Sequence, residues 1–567
     1  MSHLSPRRFY GMQSVTLVLY SICFAVLINS GVMFAMARYH LSWDSILTSS
    51  DQAFYTATVA KGSSNLHKLG NVSLKEHAND PSLSTYAPLI QALFKRMTGL
   101  STLTVMWVGN FFFPAVAFLL ATFLFFPFIV QAWKRACLAF IILSPFTIGL
   151  LRPMNPQITL LFVLGYFVCF FRNRHLLIFT IGRSLCVALL LFCQPVFSVY
   201  FLILEGCAVA YDMWRTRKIG RLDVVQILVF AIPFAIALAL KLALSAHTND
   251  PVAISDTYRR LGLIHTHVPA DPILQAKLLV ILAAAFVLQR YVHRKNDLFV
   301  RQCMLAVCAG IIALNQSLLH GIDIIFGLYY SRVFEMVFFI SAIAICIRLL
   351  RGYWQLAAVG FLFFLSVMSY GGNLLSQVKS YPQASDSFFP ASEKSVVQWL
   401  QHQPGEMVIL APFHLSGLIP VFTSHFVVFN DYARYQQASD SELADRFLLQ
   451  DAVFPADNAR FDTTFGRVFG LAAGNLYAKH RNVCAVRAFF DTHFSFDECK
   501  GTIRQYIFHQ DLLRKLDTPD VDVPASVRRF HVDLLLSPTA LGALQPKNCR
   551  DTGLIAGYYT YDCRTQL

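Results

Sequence analysis

The chain is poor in charge. Asp, Glu, Lys and Arg make up only 14% of its 567 residues, while 56% are hydrophobic and mean hydropathy is +0.51. That scarcity excludes an ordinary soluble globule and an intrinsically disordered chain, and it leaves a polytopic membrane protein. There is no internal repeat, and the lack of an inverted one weighs against a transporter. There is no low-complexity tract. No basic-aromatic module is present, so the formal net charge of +14 does not indicate a nucleic-acid partner. Much of the Lys and Arg instead flanks apolar runs, where it orients helices and meets anionic lipid. The first apolar run lacks a small-residue cleavage site and reads as a retained signal anchor after Arg7 and Arg8.

What is present is a succession of apolar runs. A bilayer core of roughly 30 Å needs about 20 apolar residues in a helix. Scanning on that basis predicts about eleven transmembrane helices: 12–37, 104–130, 136–151, 157–171, 175–193, 196–213, 223–245, 273–290, 299–315, 332–349 and 353–371. The region 175–213 also reads as one long span plus a re-entrant piece. One alternating set of loops carries Arg7, Arg8, Lys134, Arg135, Arg172, Arg174, Arg215, Arg217, Lys218, Arg221, Arg290, Arg294, Lys295, Arg301, Arg348 and Arg351. The short loops of the other set carry only Arg152, Arg259 and Arg260. The positive-inside rule then places the N-terminus in the cytoplasm and the long polar loop 39–103 outside, with everything after the last span.

From about Gly372 the composition turns polar. Residues 372–392 read as a Ser/Pro-containing linker, and 393–567 as an extracytoplasmic α/β domain. Within it EKSVVQWLQ has helical spacing, GEMVIL and the end of SHFVVFN read as strands, and VDLLLSP as a later one. Nine of the thirteen cysteines lie in the membrane half. The other four, Cys484, Cys499, Cys549 and Cys563, lie in the outer domain and suggest two disulfides. Three pairings are open; Cys484 with Cys499 and Cys549 with Cys563 would each close a short loop. The alternative of free thiols or a zinc site lacks a C-x-x-C pair.

Carboxylates, imidazoles and aromatics collect in the loop 39–103. Asp51 falls in the first turn of a predicted helix capped by Ser49 or Ser50, with Phe54, Tyr55 and Val59 on an apolar face. A carboxylate there can act as a general base, or simply complement the helix dipole. Glu76, His77 and Asp80 form a second cluster, able to bind a divalent metal or to remain a solvated loop. Tyr86, Pro88 and Leu89 open an amphipathic stretch suited to the membrane surface. In the other outer loops Arg259 with Arg260 is the best phosphate-binding pair, near His265; further candidates are Arg152 and His320. Inside the spans, Arg183 and Glu205 are placed to pair, and Lys241 and Glu335 to snorkel from helix ends.

This order of parts resembles the GT-C superfamily, integral-membrane glycosyltransferases that use polyprenyl-phosphate sugars, such as protein O-mannosyltransferases and lipid A aminoarabinose transferases. The residues that carry the resemblance are Asp51 with Phe54 and Tyr55, the Tyr86-x-Pro88-Leu89 entry to the second span, and the later pieces SPFTIGLLRPMNPQ and LNQSLLHG. The resemblance implies that Asp51 deprotonates an acceptor hydroxyl of a lipid, glycan or protein, with inversion at the donor sugar. It also implies that Asp44 or Asp80 assists, that Arg152, Arg259, Arg260, His265 or His320 holds the leaving phosphate, and that Tyr55 and Tyr86 line the substrate. The site would lie on the outer face of a bacterial inner membrane; no cofactor is firmly implied, and a divalent metal is possible. Two other functions fit the same architecture: a non-enzymatic membrane protein whose outer domain binds a partner around Phe413–Tyr435, and a flippase or transporter for a lipid-linked glycan.

Overall fold

The fold is that of a computed structural model. It describes residues 6–39, 50–64, 71–78, 80, 86–146, 155–173, 176–217, 221–245, 250–260, 263–265, 272–291, 298–316, 322–324, 327–348, 350, 352–388, 391–455, 468–469, 504–517, 521–542 and 545–564. The chain divides into two compact units. One comprises Met1–His40, Met106–Ala243 and His267–Tyr381; the other comprises Leu41–Val105, Leu244–Thr266 and Pro382–Leu567.

The first unit is a helical assembly. Each of the eleven apolar runs is a helix: Pro6–Tyr39, Thr102–Leu124, Ala132–Leu143, Asn155–Asn173, Leu177–Cys193, Pro195–Thr216, Arg221–Ser245, Pro272–Tyr291, Leu298–Leu314, Gly327–Arg348 and Tyr353–Phe388. Among the described residues, five stretches are long and apolar enough to cross a membrane: Ser14–Tyr39, Thr102–Leu124, Pro195–Thr216, Val224–Ala243 and Tyr353–Ser376. The region 175–213 resolves into two helices packed on each other. They break at Gln194, which is extended (φ −155°), because the residue before a proline is pushed out of the helical region. The core is aromatic: Tyr166, Phe167, Phe170, Phe171, Tyr200 and Phe201 are all essentially inaccessible. Arg183 does pair with Glu205, Nε to carboxylate at 2.6 Å, and the Tyr166 hydroxyl donates to the same oxygen at 2.8 Å. Lys277 lies 3.7 Å from Glu335, and Lys241 donates to the Leu191 carbonyl at 2.8 Å. Each of these charged groups has a polar partner within the helices.

The polar stretch 372–392 reads as a linker in sequence, yet helix Tyr353–Phe388 runs through most of it. Leu374 packs on the unit's core there, and a Cβ on Gly31 would come within 2.5 Å of Leu374 Cδ1, so the two helices meet closely. Tertiary packing outweighs the local Ser and Pro signals.

The second unit is built on a five-stranded sheet of β1 (Val408–Leu410), β2 (Phe426–Val427), β3 (Leu534–Ser537), β4 (Arg550–Ile555) and β5 (Tyr558–Asp562), in the order β2-β1-β3-β5-β4. The first three strands are parallel and the last two antiparallel to their neighbours. Alternation along the strands divides two cores. Ile409, Leu534 and Leu536 face helices Ala391–Gln401 and Phe413–Phe422. Val408, Leu410 and Leu535 face helices Asp440–Val453, Arg504–Asp517 and Val523–Arg529. Hairpin β4–β5 turns through Ala556 and Gly557, both at positive φ (52° and 85°), the backbone of a type I′ turn.

Cys549 and Cys563 form a disulfide across this hairpin, 14 residues apart in sequence, while Cys484 and Cys499 lie outside the described residues. Cys549→Ser is expected to cost about 2–4 kcal/mol, since the bridge restricts the unfolded chain. Peptide mapping without reductant checks the pairing; a bridge from Cys549 to Cys484 or Cys499 would contradict it.

The loop 39–103, expected with the membrane half, belongs from Leu41 onward to the second unit. Leu74 and Ala78 enter the sheet's core. The Val427 amide donates to the Ser73 carbonyl at 2.8 Å, and Asn430 Nδ2 to Ser73 Oγ at 2.9 Å. Thus the loop adds backbone to the β2 edge, a pairing that hydropathy does not encode.

Candidate functional site

The site region of the second unit is assembled from helix Ser50–Ser64, residues 71–80, helix Pro88–Thr98, helix Pro251–Arg260 and the α/β layers. Helix Ser50–Ser64 starts where the Ser49/Ser50 cap predicts, with Asp51 in its first turn. The Asp51 side chain lies outside the described residues, as do Asp44, Arg152, His320 and the side chains of Arg259 and His265. Phe54 and Val59 are buried, as the apolar face requires, and Tyr55 is half-buried. Phe54 stacks on Tyr435 with ring centroids 4.4 Å apart.

Lys61 continues that stripe. It is 4% exposed, donates to the His425 carbonyl at 2.8 Å and sits 3.3 Å above the Phe426 ring. Sequence reasoning did not single it out, although the spacing Phe54, Ala57, Thr58, Lys61 places it on the buried face.

Two polar clasps tie loop segments to helix Asp440–Val453. In the first, His77 Nδ1 bonds Asp80 at 2.8 Å and Nε2 bonds Glu442 at 3.1 Å. Arg446 joins it, pairing with Glu76 at 3.0 Å and Glu442 at 2.9 Å. Asp80, a candidate catalytic acid, is therefore a partner of His77. The Glu76–His77–Asp80 cluster, read as a possible metal ligand set, is spent on ion pairs; among the described residues no group of three His, Cys, Asp or Glu could hold a metal ion. Burial opposes the charge on His77, but its hydrogen bonds to the Asp80 and Glu442 carboxylates and their negative charges outweigh it and raise its pKa to about 9. Burial likewise opposes the Glu442 charge, and the His77 hydrogen bond with the Arg446 charge overcomes it, lowering that pKa to about 2.

The signs give a pH window. His77 contributes stability fully below its ordinary pKa of 6.5 and loses it as pH rises through about 9. Glu442 contributes above its ordinary 4.5 and loses that as pH falls through about 2. The difference in Tm between wild type and His77→Gln is therefore expected to be largest between the two ordinary values and to vanish above about pH 9. Equal differences at all pH values would contradict the ionic clasp.

The second clasp redirects a sequence expectation. Arg260, a candidate for holding phosphate, is 0% exposed. Nη1 meets Asp440 at 2.5 Å, and Nη2 donates to the Gln436 and Ala438 carbonyls at 2.7 and 2.8 Å. Asp256 accepts the Asp440 amide at 2.9 Å. The protein's own carboxylate and carbonyls occupy the guanidinium face that a phosphate would need.

An open cleft of ≈530 Å³ lies instead between helices Ser50–Ser64, Pro88–Thr98 and Ala391–Gln401 and the first residues of helix Thr102–Leu124. Thr56, Lys95, Ser101, Thr102, Lys394 and Gln398 line it, and no carboxylate is among its lining residues. Lys95 donates to Ser63 Oγ at 2.9 Å, and burial lowers its pKa. Gly99, at φ 69°, ends helix Pro88–Thr98 in the left-handed conformation and so turns the chain at the rim. Two cations with hydroxyls, and no acid among the described lining residues, suit a phosphate group. Sequence reading missed both lysines because they lie about 300 residues apart in the chain.

Tyr86 is half-buried just before helix Pro88–Thr98. That helix buries Pro88, Gln91 and Ala92, and exposes Ile90, Leu93, Phe94 and Met97 at helical spacing. Phe426, Phe429 and Tyr432, in the aromatic segment considered for partner binding, are core residues rather than surface ones.

No protein-family model matches the chain, and no curated protein matches it.

Proposed function

We propose that the chain is an integral-membrane glycosyltransferase of the GT-C kind, with its eleven apolar helices crossing a bacterial inner membrane and its α/β unit on the outer face. It moves a sugar from a polyprenyl-phosphate donor to an acceptor hydroxyl of a lipid, glycan or protein. The observation that carries this reading is the lysine-bearing cleft. Its lining includes Thr56, on the helix that begins at Ser50 and Asp51, and Thr102 and Leu103, the first residues of an apolar helix long enough to cross a membrane. A phosphate-headed lipid suits such a lining, since cations match its head and apolar helices its tail.

In this mechanism Asp51 takes the acceptor's hydroxyl proton and the resulting oxygen attacks the anomeric carbon. The bond from that carbon to the donor's phosphate oxygen breaks with inversion, and the electron pair leaves on polyprenyl phosphate. Lys95 and Lys394 hold the departing phosphate, the part that Arg260 is already committed elsewhere to refuse. The exposed stripe Ile90, Leu93, Phe94 and Met97 rests on the lipid surface. The test is release of sugar from a radiolabelled polyprenyl-phosphate sugar by the purified chain in lipid nanodiscs, the donor being chosen by mass spectrometry of copurified lipid. Absence of both binding and turnover with every prenyl phosphate would end the reading.

A further inference from the structure

Strands β1 and β3 are parallel neighbours, with Ile409 opposite Leu534 and Leu410 opposite Leu535. Beyond their carboxyl ends the chain turns away at Pro412 and at Pro538 and opens a cleft of ≈350 Å³, closed on its third side by the end of helix Asp440–Val453. Open α/β sheets bind small ligands at this place, because diverging loops leave a crevice there. The cleft is built of aromatic rings and neutral or acidic polar groups: Phe413, Phe447 and Phe454 with Gln450, Asp451 and Thr539. Among the described residues no Lys, Arg or His lines it. Gln450 is 3% exposed; its Nε2 donates to the Ala411 carbonyl at 2.9 Å, and its Oε1 has no hydrogen-bond partner among the described residues. A buried acceptor without a donor calls for one from elsewhere.

We propose that the α/β unit holds a separate binding site for a neutral sugar in this cleft. An aromatic face, negative over its ring, attracts the positive C–H face of a pyranose. The Gln450 and Thr539 oxygens accept from ring hydroxyls. The site stands apart from the lysine cleft, sharing none of its lining residues. Failure of the transferase reading leaves it untouched.

Ligand-observed saturation-transfer NMR on the full chain in nanodiscs tests it, with methyl glycosides of glucose, galactose and mannose as probes. At least one is expected to bind with a Kd on the order of 1 mM, and Phe454→Ala to weaken it by about tenfold or more. Phe454 is partly exposed, and Thr539→Val, on an exposed loop, replaces that variant if its Tm falls. Lack of binding by all three glycosides, binding unaltered by the cleft variants, or displacement of the sugar by inorganic phosphate would each overturn the proposal.

Discussion

Asp51→Asn is expected to leave the protein folded and able to bind a polyprenyl-phosphate sugar while lowering sugar transfer by about 10²- to 10⁴-fold, the usual contribution of a positioned general base. Asn matches Asp in shape and accepts hydrogen bonds, but it cannot take the acceptor's proton. Asp51 sits in the first turn of helix Ser50–Ser64, where the positive end of the helix dipole favours the ionised carboxylate. The same position supplies the competing explanation. If Asp51 only complements the dipole, Asp51→Asn costs about 0.3–1 kcal/mol of stability and transfer continues. Measuring donor binding, single-turnover sugar release and Tm on the same two proteins separates these outcomes, because a base changes the rate and a dipole partner changes Tm.

Arg260→Ala is expected to destabilise the second unit by about 3–5 kcal/mol, the cost of removing one member of a buried ion pair. The variant strands the Asp440 carboxylate and frees the Gln436 and Ala438 carbonyls from their shared donor. It also releases helix Pro251–Arg260 from the start of helix Asp440–Val453, where Asp256 and Asp440 meet. Trp399, packed beside the sheet on helix Ala391–Gln401, gives a fluorescence signal from the affected unit. A double-mutant cycle with Asp440→Ala should return a large coupling, with the second substitution costing little once the first is made. Unchanged stability with weakened donor binding would restore Arg260 to the role of phosphate ligand and contradict the clasp.

Much of the architecture was legible because it rests on local composition. Apolar runs such as 223–245 and 353–371 are helices because a long unbroken hydrocarbon sequence satisfies its backbone most simply that way. The strand segment VDLLLS was readable for the same reason, as its apolar run is bounded by a helix stop and a Pro turn. Arg183 and Glu205 were readable as a pair because a buried charge requires one. Long-range pairing was not legible. His77 meets Glu442 across 365 residues, and Arg260 meets Asp440 across 180. No periodicity encodes those distances. Arg260 looked like a phosphate ligand because an Arg pair in a loop has the right chemistry, and only the fold places a carboxylate over it.

By itself the sequence determined that this is a helical, apolar chain with a smaller α/β unit, since hydropathy and strand or helix period act within a few residues. It also indicated where helix Ser50–Ser64 starts, since helix-start signals act within a single turn. Only the tertiary structure decided that the polar loop 39–103 builds into the α/β unit, that Lys95 and Lys394 share one cleft, and which charged residues are already neutralised. Those outcomes depend on which surfaces bury one another, and burial joins residues that the chain keeps hundreds of positions apart.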